Sequence, residues 1–352
     1  MMSRRNFVKK MLVSLAFLAG GAGIGAPYLK RWIAQADSEK ETPAAEVLPE
    51  PVHVEKVLPT ELLASFFLLS DLHISVSESS MTDRLHMALK DISAWNGPLD
   101  AIVLGGDLTD FGRESDYKLL NSILNQYQLP KLYANMGNHD YYDIWLDREG
   151  QFSTETMPNG KTDSMARERF QSFIGYADKP YTDVWVNGVH LILVSQECYV
   201  QEKADVGEGA WYSDEQLNWL RETMKAHEDG KPAIVFIHQP LPEPGTDGGT
   251  HRLIRAIAFR EILAPYPNVF VLSGHTHRNF LSEDHYNKQN TFHWFNNASV
   301  GRTRAAQLGQ NSVDVQGLFV EVYGHQVVLR AREFSNRSWI ESSQWTIPLT
   351  TA

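Results

Sequence analysis

Five apolar runs in this sequence each end on a residue type that binds hard or borderline metal ions. Residues 64–70 (ASFFLLS) lead to Asp71 and His73, residues 101–106 (AIVLGG) to Asp107, and residues 131–137 (KLYANMG) to Asn138 and His139. Residues 232–237 (PAIVFI) lead to His238, and residues 268–274 (NVFVLSG) to His275 and His277. The set Asp71, His73, Asp107, Asn138, His238, His275 and His277 offers oxygen and imidazole donors without a thiolate, which suits Mn, Fe or Zn. A carboxylate has two oxygens and can join two neighbouring cations, which an imidazole cannot do. Two divalent ions held side by side activate water and clamp the oxygens of a group undergoing in-line displacement, so the chemistry expected here is metal-assisted hydrolysis.

Something must bring residues so far apart in the chain together. Most of the runs are short, continuous and rich in Val, Ile, Leu and Phe, as in strands covered on both faces, KLYANMG being the weakest of the five. In open α/β sheets, ligands sit beyond the carboxyl ends of the strands, which is where all of these residues fall. On an extended segment residues i and i+2 point the same way, so Asp71 with His73, and His275 with His277, are expected to face one cleft. Gly106, Gly137 and Gly274 precede ligands, where a missing side chain permits a tight turn.

Helical periodicity separates the runs. It covers 82–95, with Leu85, Ala88, Leu89 and Ile92 on one face, and 114–127, with Tyr117, Leu120, Ile123 and Leu124. It returns over 213–227, where Ser213 and Gln216 stand at capping-box spacing ahead of Leu217 and Leu220. Strand and helix alternation places helices outside a sheet. Residues 141–181 read as polar and irregular, and 241–250 (LPEPGTDGGT) as a Pro/Gly loop; both follow candidate ligands and should rim the site. After His277, alternating segments at 292–295, 317–322 and 326–331 suggest a second sheet that completes the core.

Taken in order, Asp71-Leu72-His73, Gly106-Asp107-Leu108-Thr109-Asp110, Gly137-Asn138-His139-Asp140, His238 followed by Pro240, and Gly274-His275-Thr276-His277 resemble the calcineurin-like metallophosphoesterase superfamily over roughly residues 64–300. The resemblance implies an α/β fold of two packed mixed sheets flanked by helices. It also implies a first ion on Asp71, His73 and His277, a second on Asn138, His238 and His275, and Asp107 bridging the two, with a hydroxide between the ions as nucleophile. His139 resembles the family's non-ligand histidine, which stabilises the transition state or protonates the leaving oxygen. Asp110 matches the partner that orients it, with Asp140 as the competing choice. The substrate implied is a small phosphoester. The Asp-Leu-His-Ile-Ser start and the Gly-Asn-His-Asp block resemble a branch containing cyclic nucleotide phosphodiesterases and exported phosphatases, which favours a phosphodiesterase or nucleotide phosphohydrolase. A broad phosphomonoesterase, and a surface binding protein with a non-catalytic metal site, are the alternatives.

The amino terminus resembles a twin-arginine translocation signal: Ser3-Arg4-Arg5-Asn6-Phe7-Val8-Lys9-Lys10, a glycine-rich apolar stretch over 11–29, and Ala34-Gln35-Ala36 before Asp37. Residues 1–36 are expected to be this signal, read by the translocation machinery, or an uncleaved membrane anchor. Residues 37–60, acidic and proline-bearing, read as a linker, and 61–352 as the catalytic domain outside the cytoplasmic membrane. With 352 residues and 43% hydrophobic content, the chain can bury a large core. Residues 1–36 hold six Lys or Arg and no acid, so without them the formal net charge moves from −11 to −17. A body this acidic is ill suited to holding nucleic acid by its phosphates.

The single cysteine, Cys198, cannot form an intramolecular disulfide and reads as a buried structural thiol. His86, His190 and His227 read as structural and His251 as a solvated loop residue, while Tyr141 and Tyr142 read as rim tyrosines that pack, with base stacking as the alternative.

Overall fold

The computed structural model describes residues 61–350, apart from 156, 158, 283–284 and 307–311. The proposed signal and linker, at 1–60, lie outside the described residues. The described part belongs to one compact unit, Pro59–Ala352. Among its residues no helix is long and apolar enough to cross a membrane.

The continuous apolar runs form buried strands. β1 (Leu62–Leu69), β2 (Ala101–Gly105) and β3 (Lys131–Asn135) lie parallel and side by side. In a second sheet, β4 (Thr182–Val186) and β5 (Val189–Leu193) make a hairpin, and β5, β6 (Ala233–Phe236) and β7 (Val269–Ser273) run parallel. The weakly apolar KLYANMG run is the edge strand β3, which explains its mixed composition.

The segments after His277 do not build a sheet of their own; they are divided between the two. β8 (Tyr286–Gln289) and β9 (Phe292–Asn296) extend the second sheet beyond β7. β10 (Gln316–Tyr323), β11 (Gln326–Glu333) and β12 (Ser338–Pro348) form an antiparallel meander joined to β1, with Ala64 opposite Val322 and Leu68 opposite Leu318. The result is two six-stranded mixed sheets, ordered β12-β11-β10-β1-β2-β3 and β4-β5-β6-β7-β9-β8.

Alternation along β1 divides its side chains. Phe66 and Leu68 face the second sheet in a shared core with Leu191, Phe236, Leu272, Phe295 and Val320, and the Phe66 and Phe236 rings meet at 5.6 Å. Phe67 points the other way, against Trp95 and Phe319.

Helices cover the outer faces. α1 (Ser80–Ser93) and α2 (Glu114–Leu124) bury the faces expected from their periodicity. The region 141–181 is more regular than its polarity suggests: a 3-10 helix spans His139–Trp145 and α3 spans Asp163–Ile174, capped by Thr162 and closed by Gly175 in the left-handed region. α4 (Asp214–Met224) and α5 (Ala256–Leu263) pack on the second sheet through Leu217, Leu220, Phe259 and Leu263.

Half of the capping box at α4 forms. Ser213 Oγ accepts the Gln216 N–H at 3.0 Å, but the Gln216 side chain pairs with both backbone groups of Ser195 and so ties α4 to the end of β5.

Cys198 is buried and unpaired, and burial pushes its thiol up to about 12. A thiol so protonated is a poor nucleophile. The folded protein is expected to be inert to a disulfide-exchange reagent at pH 8 and to release one equivalent in guanidinium; rapid reaction of the native chain would contradict that burial.

Candidate metal centre

All five ligand-bearing loops meet between the carboxyl ends of the two sheets. The tie across the sheets is local and specific: His238, at the end of β6, donates Nδ1–H to the Gly105 carbonyl at the end of β2, 2.8 Å away. The Asp71 carboxylate accepts the His275 N–H at 3.0 Å, linking the loops after β1 and β7.

The ligands are aimed by an unusual backbone. Asp71, His73, Asp107, His275 and His277 all have positive φ, between 49° and 70°. The stretches after β1 and β7 are therefore not extended, and the i, i+2 argument reached the right cleft by the wrong geometry. A left-handed residue turns the chain sharply without lengthening the loop, which lets two nearby side chains converge on one point. Asp and His tolerate this conformation better than branched residues do.

Gly137 is required for space. A Cβ there would stand 2.2 Å from Asp107 Oδ1 and 2.5 Å from the Asp107 backbone nitrogen. The backbone contact cannot be relieved by a rotamer change. Gly137→Ala is expected to cost about 1–3 kcal/mol, as overpacking does, and to lower metal uptake by displacing Asp107; urea melts with and without chelator, beside metal analysis, measure both.

Two ligand clusters share one residue. Asp71, His73, Asp107 and His277 can each present an atom such that all lie within 4.8 Å of one another, and so can Asp107, His238 and His275. Asp107 is thus at the junction, as a bridging carboxylate must be. His277 Nε2 is 3.1 Å from Asp71 Oδ1, and His238 Nε2 is 3.1 Å from Asp107 Oδ2. That last pair is off the direction of a hydrogen bond: His238 Nε2 and His275 Nδ1 are buried nitrogens without a partner. A buried, unpartnered imidazole nitrogen 3.1 Å from a carboxylate oxygen, as at His238, is what a metal ion would satisfy, so the donor set fits the metals implied by the resemblance.

Hydrogen bonds on the far side of the rings set the tautomers. His73 Nδ1 lies 3.2 Å from Asp110 Oδ1, so it donates there and leaves Nε2 facing the cluster, 3.0 Å from His277 Nε2. Burial, with Arg302 and His139 nearby, lowers His73 to about 3, and burial with His238 nearby also holds His275 well below the usual range; both are neutral and able to ligate. Burial disfavours charge on Asp71 and Asp107, but the surrounding histidines outweigh it. Asp71 is lowered to about 2 and Asp107 well below the carboxylate range, so both stay ionised.

His139 sits outside this pair. Its Nδ1 is 3.1 Å from Asp110 Oδ1, its backbone N–H donates to Asp107 Oδ1 at 2.8 Å, and its ring stacks on Tyr142 with centroids 4.0 Å apart. Burial lowers the imidazole, but the Asp107 and Asp110 carboxylates outweigh it and hold the ring above the usual histidine value. His73, Asp110 and His139 also lie close enough to form a third cluster. A cation there would press against Arg302, whose Nη2 donates to Asp110 Oδ2 at 2.8 Å, so this cluster is already neutralised.

The Asp140 carboxylate is directed away from the His139 ring. It is buried and accepts the backbone N–H groups of Gly137 and Thr109, the Thr109 hydroxyl and the Tyr117 hydroxyl, stapling the loops after β2 and β3 together.

Tyr141 and Tyr142 are not at the rim. Both are buried, with hydroxyls donating to the Gln196 carbonyl and the Glu208 carboxylate, so neither has a free face for a base. His251 is nearer the centre than a solvated loop residue would be, its ring 5.9 Å from that of His275. His190 and His227 pair with each other away from the site at 2.8 Å, in keeping with structural roles. His86 pairs with Tyr127.

Arg302 and Glu208 enter the site from outside the five motif blocks, and Gln239, between His238 and Pro240, carried no signal of its own; the fold brings them to Asp110 and Asn138.

Residues 64–279 match the family described as calcineurin-like phosphoesterase. The chain belongs to that family. Among curated proteins it is similar to the 3',5'-cyclic adenosine monophosphate phosphodiesterase CpdA of Haemophilus influenzae, with 24% identity over 55% of this chain and 61% of the relative. It is also similar to the probable glycerophosphodiester phosphodiesterase GpdQ of Arcobacter nitrofigilis, with 23% identity over 51% of this chain and 57% of the relative. The chain thus spans about three fifths of the length of these family relatives. Among solved structures, a dimetal phosphatase from Danio rerio superposes with a TM-score of 0.58 at 12% identity, over 82% of this chain and all of the other; that likeness bears on the fold of this family member.

Proposed function

We propose that this family member is an exported, dinuclear metal-dependent hydrolase of small phosphoesters, acting on phosphodiesters or nucleotide-type substrates. The observation that carries the proposal is Asp107, the one carboxylate common to two buried ligand clusters. In this reading Asp71, His73 and His277 hold one ion, Asn138, His238 and His275 the other, and Asp107 both; Mn, Fe and Zn all suit these donors. Bound there, the ions supply Lewis acidity toward the phosphoryl oxygens and lower the pKa of water.

The remaining roles belong to the chain. Asp110 fixes the His139 ring, its main-chain carbonyl accepting Nδ1–H at 3.1 Å while its carboxylate, also 3.1 Å from Nδ1, stabilises the charged form, so that Nε2 can carry a proton to the leaving oxygen. Arg302 holds the other Asp110 oxygen and keeps the carboxylate from swinging into the ion pair. Preference for diesters is supported by the activities named for the two curated relatives. Export, by the twin-arginine route to the cell surface or beyond, is supported by the Arg4-Arg5 pattern at the amino terminus.

Protein loaded with Mn(II) is expected to hydrolyse bis(p-nitrophenyl) phosphate with a higher kcat/KM than p-nitrophenyl phosphate, and chelation should abolish both. Turnover of the monoester alone would replace this reading with a phosphomonoesterase. Loaded protein inert toward both reporters, cyclic AMP and glycerophosphodiesters would leave a metal-bearing binding protein.

A further inference from the structure

Behind Asn138 lies a buried acid that the roles above do not use. Glu208 is 2% exposed. Its Oε2 accepts Asn138 Nδ2–H at 2.6 Å and the Tyr142 hydroxyl at 2.5 Å, and its Oε1 accepts the Tyr199 hydroxyl at 2.8 Å. All three donors are neutral. Both tyrosines are buried and donate their hydroxyls to the carboxylate. The side-chain partners of Glu208 are these three donors, and the nearest basic group that feels its charge is His251, which burial keeps below the usual histidine range.

A buried carboxylate without a cationic partner is costly, and three neutral hydrogen bonds compensate it only in part. What the carboxylate does is settle an ambiguity. An amide can present either end, and only Nδ2 can donate to a carboxylate, so Glu208 forces Asn138 Oδ1 to the opposite side. There Gln239 Nε2 donates to that oxygen at 3.2 Å and to Gln196 Oε1 at 2.7 Å, which leaves Oδ1 a second lone pair. The same carboxylate holds Tyr142, the ring on which His139 stacks.

We infer that Glu208 is a positioning residue that orients the Asn138 amide, oxygen inward, as a ligand to one ion only, and that the ion pair supplies the cationic charge this buried acid lacks. The inference rests on the two-ion reading above. It separates the two sites: Asp71, His73 and His277 make no contact with Glu208, so its loss should be felt at one ion and not the other.

The test is calorimetric titration of Mn(II) into chelator-stripped full-length protein, with Glu208→Ala and the isosteric Glu208→Gln. The wild type is expected to show two binding events. Each variant should weaken one of them by about 10- to 100-fold, the usual effect of losing a partner behind a ligand, and leave the other within twofold. A packing role alone would lower Tm and leave both affinities unchanged, or weaken both together; either result overturns the inference while the two-ion site stands. Should the alanine variant not fold, Glu208→Gln, which keeps the volume and removes the charge, carries the same test. A wild-type chain that takes up no pair of ions overturns the two-ion reading and this inference with it.

Discussion

Replacing Asp107 with alanine should strip both ions from the protein and abolish hydrolysis in one step. Asp107 is buried, lies in both ligand clusters, and accepts the His139 backbone N–H. Its removal deprives each ion of a ligand and leaves the ions to repel one another without an intervening charge. The expected result is less than one equivalent of metal after gel filtration and a fall in kcat/KM of at least about 10⁴-fold, on the order of 5 kcal/mol of lost transition-state stabilisation. Asp107→Asn should retain the fold in chelator, because it keeps the volume and an acceptor for the His139 N–H, and still lose the bridge. A variant holding two ions with near-normal turnover would show that another group joins them.

His139→Ala should behave oppositely, keeping both ions and losing the rate. The ring is directed at Asp110 and Tyr142, and no cluster that contains Asp107 includes it. Loss of a positioned proton donor costs typically 10²- to 10⁴-fold, so kcat should fall by about that factor with metal content unchanged. The loss should be smallest for substrates with good leaving groups such as p-nitrophenolate, which need little protonation, and largest for alkyl esters. Equal losses on both would mean that the ring stabilises charge on the phosphoryl group instead, and normal rates on both would remove His139 from the chemistry.

The centre was legible in the sequence to the extent that its elements were local. A buried parallel strand must be continuously apolar, so a polar residue at its carboxyl end stands out, and five such ends were visible. Asp110 could be separated from Asp140 only in three dimensions: both lie near His139 in the chain, yet one meets its ring and the other staples two loops beneath it. The left-handed turns at Asp71, His73, Asp107, His275 and His277 left no trace in the residue pattern, because Asp and His are compatible with either backbone. The division of the C-terminal strands between the sheets was equally hidden, since the pairing of β10 with β1 joins residues far apart in sequence, and alternation specifies a strand's faces but not its neighbour. Tyr142 packs, as a loop tyrosine usually does, but its depth was hidden for a related reason. A tyrosine in a polar stretch looks like a rim residue until its hydroxyl is found on the buried carboxylate of Glu208.

The most direct measurement of the central claim is anomalous diffraction from crystals of the protein grown with Mn(II), collected on both sides of the metal edge. Two peaks are expected between the carboxyl ends of the sheets, with Asp107 reaching both, Asp71, His73 and His277 around one, and Asn138, His238 and His275 around the other. A single peak, or two peaks that do not share Asp107, would contradict it.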